Sequence, residues 1–167
     1  MKNFLFAVLM TVPTVFIAQM NTETANLQPH RYCSRISRSV DPMDGTVKIS
    51  TPIGGLIGIR KFVENGESVT YLALTANGYT LNVGGTGVTV LLSDGTKIER
   101  PDQKIDCDPG YGSGWTYSAW IRLSEEEIES LSNSTISRFR LYIYDSAPIG
   151  KFPEKIRIWM GCISAMN

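Results

Sequence analysis

The stretch VTYLALTANGYTLNVGGTGVTVLLSDGTKIER, residues 69–100, decides the fold class. Short runs of Val, Leu, Ile, Thr and Tyr are cut by Asn77-Gly78, Gly84-Gly85 and Asp94-Gly95. Branched and aromatic side chains suit a pleated, half-buried surface, and Asn-Gly or Asp-Gly tolerates the positive φ that a two-residue hairpin turn demands. Just upstream, Asn65-Gly66 lies between two further runs, residues 56–63 and 68–75. At least two antiparallel hairpins are therefore expected. From Gly45 onward the turn signals recur about every 8–12 residues, the spacing of an all-β domain. The glycine-rich piece around Gly84 to Gly87 is no phosphate loop, because no Lys-Ser/Thr follows and β residues stand where a helix must begin. A loop or bulge between strands fits it.

Further along, Ser124-Glu125-Glu126-Glu127 interrupts the β pattern. Ser124 as N-cap with Glu127 three places on is a capping box, so a short helix over about 125–132 is expected. Its glutamates sit at the positive end of the helix dipole and are structural first. Ile128 and Leu131 share one face and can dock it on a sheet.

The segments on either side alternate. In residues 115–123, Trp115, Tyr117, Ala119, Ile121 and Leu123 fall on one face and Thr116, Ser118, Trp120 and Arg122 on the other. In residues 137–144, Phe139, Leu141 and Ile143 oppose Arg138, Arg140, Tyr142 and Tyr144. If the two strands are neighbours, Trp120, Arg122, Arg140, Tyr142 and Tyr144 form one aromatic and cationic surface, suited to stacking on sugars or holding carboxylates. Against this stands a plain packing role, in which Arg stems cover Trp and Tyr on a half-exposed sheet.

The last segment, residues 153–163, supports two readings. Ile156, Ile158, Met160 and Cys162 alternate as in a strand, while Ile156, Trp159, Met160 and Ile163 make a helical stripe. Its β-branched content favours the strand. Together these elements predict a mainly β domain, an antiparallel sandwich with one short helix, over residues 45–167. Before it, residues 19–44 read as a polar, extended arm in which Arg31, Arg35 and Arg38 recur at helical spacing.

Residues 1–18 carry a short basic start and an apolar run containing Pro13, the pattern of a cleaved secretory signal peptide. At about 14 residues the run is shorter than the roughly 20 that a spanning helix needs, so no stable membrane span is expected. Export to the periplasm or the outside of the cell places Cys33, Cys107 and Cys162 where thiols pair. Three cysteines permit one bridge and one leftover thiol, and the spacing does not choose among the three pairings.

Charge narrows the partners. Lys and Arg total 16 against 16 Asp and Glu. That balance removes the basic surplus that nucleic acid or an anionic membrane would require. Three scattered Cys and the one histidine, His30, do not make a zinc site. No cofactor or metal is implied.

Three pieces resemble an uncharacterised group of small exported β-rich bacterial proteins: residues 69–106, ending in PDQKID; GWTYSAWIRLSEEEIESL, residues 114–131; and ISRFRLYIYD, residues 136–145. The resemblance implies a β-rich exported domain and carries no known activity or site residues. The residues themselves favour a secreted, non-enzymatic module that binds a glycan or a protein. The competing reading is a carboxylate-dependent hydrolase acting on a polysaccharide through Asp102, Asp106 and Asp108, which can alternatively offer oxygen ligands to Ca²⁺. With its single histidine in the polar arm, the chain lacks a convincing base for a Ser-His or Cys-His nucleophile.

Overall fold

A computed structural model describes residues 29–52, 55–110 and 114–166. The proposed signal segment lies outside them. Among the described residues, ten strands and three helices follow in the order α1 (Pro29–Cys33), β1 (Ser37–Val40), β2 (Val47–Ser50), β3 (Ile57–Glu64), β4 (Glu67–Gly78), β5 (Thr86–Leu92), β6 (Lys97–Lys104), β7 (Asp106–Pro109), β8 (Trp115–Arg122), α2 (Glu125–Asn133), β9 (Ile136–Leu141), β10 (Tyr144–Ser146) and α3 (Phe152–Ser164).

Two antiparallel sheets form the sandwich. One has six strands in the order β1-β2-β3-β4-β8-β7, the other four in the order β10-β9-β5-β6. Both expected hairpins are present. Asn65 and Gly66 take φ of 50° and 84° between β3 and β4, and Asp94-Gly95 turns β5 into β6, with the Thr96 amide donating to Asp94 Oδ1. The Gly84 region is a loop ending in a bulge of β5, where the register shifts between Thr86 and Val88.

Alternation along the strands sends one set of side chains inward. Ile57, Ile59, Leu72, Leu74, Ala76, Ala119 and Ile121 from the six-stranded sheet meet Val88, Val90, Ile98, Phe139 and Leu141 from the other in a single core. Capped as expected, α2 starts at Ser124, whose Oγ accepts from the Glu127 amide while Glu127 Oε2 accepts from the Ser124 amide. Arg100 on β6 donates to both Glu127 oxygens, at 2.8 and 2.7 Å, tying the cap to the smaller sheet.

The C-terminal segment corrects the expectation of a strand. It is the thirteen-residue helix α3, burying the stripe Ile156, Trp159, Met160 and Ile163. Pro153 falls in the first turn, where an amide is not needed, and Glu154 pairs with Arg157 one turn on. Length and the i, i+3, i+4, i+7 spacing outweigh the branched side chains. The helix packs against β3, β9, α1 and α2, and inward-pointing Lys61 of β3 donates to the Met166 carbonyl.

In the segment read as an extended arm, the described residues form α1 and β1. α1 is fastened to α3 by the Cys33–Cys162 disulfide and by Trp159 Nε1 donating to the Tyr32 carbonyl at 3.0 Å. β1 then adds an exposed edge strand to β2.

Candidate functional site

The outer face of the six-stranded sheet carries the side chains that the core does not use. Residues directly opposite on paired strands share a face, so the register writes this surface out in rows. Ser37, Ser50, Arg60, Tyr71 and Arg122 make one row across β1, β2, β3, β4 and β8. In the next row Gly58 stands opposite Ala73, and Ala73 opposite Trp120.

Because Gly58 and Ala73 are small, that second row is a trough with Trp120 as its far wall. The trough belongs to a cleft of about 270 Å³, bordered by Arg35 in the turn between α1 and β1, by Ser50, Thr51 and Thr75, and by Arg60 and Trp120. The Arg60 guanidinium lies over the Trp120 indole, 4.5 Å from the ring centroid. Trp120 nevertheless keeps 40% of its surface exposed. Beside the cleft, Phe62 meets Tyr71 edge to face at 6.0 Å, and Lys48 lies 5.7 Å from the centre of the Phe62 ring.

Some arginines are paired with carboxylates and others are not: Arg31, Arg38 and Arg138, like the arginines of this face, form no salt bridge among the described residues. Arg100, Arg140 and Arg157 each hold a carboxylate, respectively Glu127, Asp145 and Glu154, at 2.7 to 2.8 Å. Among the described residues, the side chains of Arg35, Arg60 and Arg122 have no acidic partner, and no Asp or Glu borders the cleft. Arg60 Nε is buried with no hydrogen-bond acceptor. A buried donor in that condition costs about 1–3 kcal/mol.

The five residues expected to make one surface are divided. Trp120 and Arg122 lie on β8 of the six-stranded sheet, whereas Arg140 lies on β9 of the other. The expectation failed because α2 carries the chain from one sheet to the other, so β8 and β9 are not paired neighbours. Arg140 is engaged by Asp145, whose carboxyl is held below its usual range by that hydrogen bond.

Tyr142 ends β9 in a two-residue turn, at φ 55°, which leaves Ile143 exposed instead of continuing the strand. Tyr144 turns inward and stacks on Tyr117, centroids 4.3 Å apart. Its hydroxyl donates to the Thr80 carbonyl at 3.0 Å and accepts from Asn82 Nδ2 at 2.7 Å.

The acidic candidates are also divided. Asp106 and Asp108 stand on the edge strand β7, opposite Ser118 and Thr116 and so on the face that carries Trp120. Asp102 belongs to β6 of the other sheet. Among the described residues no three His, Cys, Asp or Glu side chains gather as metal ligands do. The bridge leaves Cys107 as the free, half-buried thiol.

Sequence reasoning missed Arg60 and Gly58, and did not place Arg35 at this site. A signal for the first two was present in IGIRKFVE, where Gly58, Arg60 and Phe62 alternate against Ile57 and Ile59. Arg35 was visible only as one of three arginines at helical spacing in the arm, since its place at the cleft depends on the Cys33–Cys162 bridge that anchors α1 nearby. No protein-family model, curated protein or solved structure matches the chain.

Proposed function

We propose that the protein is an exported, non-enzymatic binding module whose site is the cleft between Arg60, Trp120 and Arg35. The observation that carries this reading is Arg60 itself, stacked on an exposed indole and free of any carboxylate among the described residues. A pair of unneutralised cations at a concave place, with no acid on its border among the described residues, is a reserved binding capacity. The other polar side chains at the cleft are hydroxyls, set beside the Trp120 ring and a few apolar side chains, and these hold and orient a ligand. Export is supported by the signal-like start and by the disulfide, a bond of oxidising compartments. Among the described residues no helix is long and apolar enough to cross a membrane.

A glycan and peptide array probed with the wild-type chain and with Gly58→Val tests the reading. Val at 58 suits a strand and fills the floor of the cleft. Ligands that bind the wild type and are lost from the variant support the site. Ligands held equally by both, or none at all, would overturn it.

A further inference from the structure

Resting on that reading of the cleft, we infer that the ligand is an acidic polysaccharide, with one carboxylated sugar unit seated between Arg35 and Arg60 and the chain continuing over Tyr71 toward Arg122. Three independent features lead there. The first is charge: the cleft is bordered by Arg35 and Arg60 with no acid among the described residues, and Arg122 stands two strands from Arg60 in the same row. An uncharged ligand would leave these guanidinium groups facing it without acceptors, whereas a carboxylate matches their planar donor geometry.

The second feature is size. A cleft of about 270 Å³ falls just under the roughly 300–1,000 Å³ of pockets that enclose drug-sized ligands. It therefore takes one ring-sized unit, and anything longer must lie across the open sheet. The third is the material of that open sheet. Trp120, Tyr71 and Phe62 lie on it among Ser50, Thr75 and Ser118. Aromatic rings offer flat apolar faces to the C–H side of sugar rings, and hydroxyls answer their polar rims. Repeated along a polymer, carboxylates at sugar spacing can meet Arg60 and then Arg122, which a ligand with a single charge cannot.

An acidic peptide is the rival occupant, and the row argues against it. A peptide laid on a sheet face has its backbone amides and carbonyls unpaired, because the ladder groups beneath are already engaged in the sheet. The exposed edge β1, which does offer free ladder groups, has Ser37, Arg38, Ser39 and Val40 and lies to one side of the aromatic rings.

The test is a set of titrations on the oxidised chain. The probes are oligogalacturonate, oligomannuronate and hyaluronan fragments, the carboxyl-reduced form of each, and an oligoglutamate peptide of matched charge. At least one acidic oligosaccharide is expected to bind. Its carboxyl-reduced form should bind at least about tenfold more weakly, since a charge-assisted hydrogen-bond pair is worth that much. Arg60→Gln, Arg35→Gln and Arg122→Gln should each weaken it, and Arg140→Gln, on the other sheet, should not. Equal binding of the reduced forms would overturn the acidic assignment and leave a neutral-glycan site. Tighter binding of oligoglutamate would replace the polysaccharide by a protein. Failure of every probe would overturn the inference, and the array with Gly58→Val then decides separately whether the cleft binds anything.

Discussion

Arg60 and Trp120 touch although their strands do not pair: the guanidinium of β3 reaches across β4 and lies 4.5 Å from the centre of the indole of β8. The intervening residue is Ala73, too small to separate them. This contact holds the Trp120 ring in place at the cleft with no carboxylate partner among the described residues.

Replacing Trp120 by Ala should therefore abolish ligand binding and cost little stability. An exposed cation–π contact is worth about 0.5–1 kcal/mol. For a chain of this size that is a fall in Tm of roughly 1–4 °C. Parallel thermal melts and titrations check both halves. A collapse of the fold would show that the ring serves packing.

The two glycines of the six-stranded sheet should behave oppositely. At Gly58 a Cβ would meet Thr51 Oγ1 at 3.7 Å and the Ala73 Cβ at 3.8 Å, ordinary contacts. Gly58→Ala should leave stability unchanged or raise it by about 0.5–1 kcal/mol, because the unfolded chain loses freedom. At Gly78 a Cβ would stand 2.5 Å from Tyr144 and 2.9 Å from Tyr117. Gly78→Ala should cost about 1–3 kcal/mol, as overpacking does. Denaturant unfolding of the two variants distinguishes them.

The disulfide should matter more than either. It links residues 129 apart in sequence, and closing so long a loop is worth up to about 5 kcal/mol in the chain-entropy model. Cys33→Ser and Cys162→Ser should each lower the denaturant midpoint strongly, and Cys107→Ser should barely move it. Thiol titration of the unfolded, unreduced wild type should find one reactive group per chain, Cys107.

Alkaline pH should loosen the core at the tyrosine stack. Burial pushes the Tyr117 phenol up to about 12, with the hydrogen bond to Tyr144 adding to the shift. A pKa raised in the folded state means that the stability is fully present below the ordinary value near 10 and is lost as pH rises from there to about 12. Unfolding midpoints measured from pH 9 to 12 should fall across that window. In Tyr117→Phe the part of the fall due to this residue should disappear.

Much of this architecture was legible because short-range chemistry wrote it. Asn65-Gly66, Asp94-Gly95 and the Ser124–Glu127 box each impose a backbone geometry on their own neighbours, and each is found where expected. Asn77-Gly78 shows the limit of that logic. It looks like a turn, yet β4 runs through it, and the glycine is there because two tyrosine rings press against it. The turn at Tyr142 and Ile143 carries no glycine or asparagine, so nothing local announced it. For the site, alternation placed Trp120 and Arg122 outward correctly. Pairing between distant strands decided their companions, and a single sequence does not state which strands pair. Arg140, Tyr142 and Tyr144 were assigned by a neighbour relation that α2 interrupts. Arg60 and Gly58 entered only through the β3–β4–β8 register.

The most direct test follows the three tryptophan indole resonances by ¹H–¹⁵N NMR while an oligosaccharide selected from the acidic panel is added to the oxidised chain. Trp115 is a built-in control, since it stands at the opposite end of β8, paired with Gly78 and Pro109, five residues along the strand from Trp120. The account predicts that the Trp120 signal shifts in a saturable way while the Trp115 signal stays still. A Trp120 signal unmoved at saturation would contradict it.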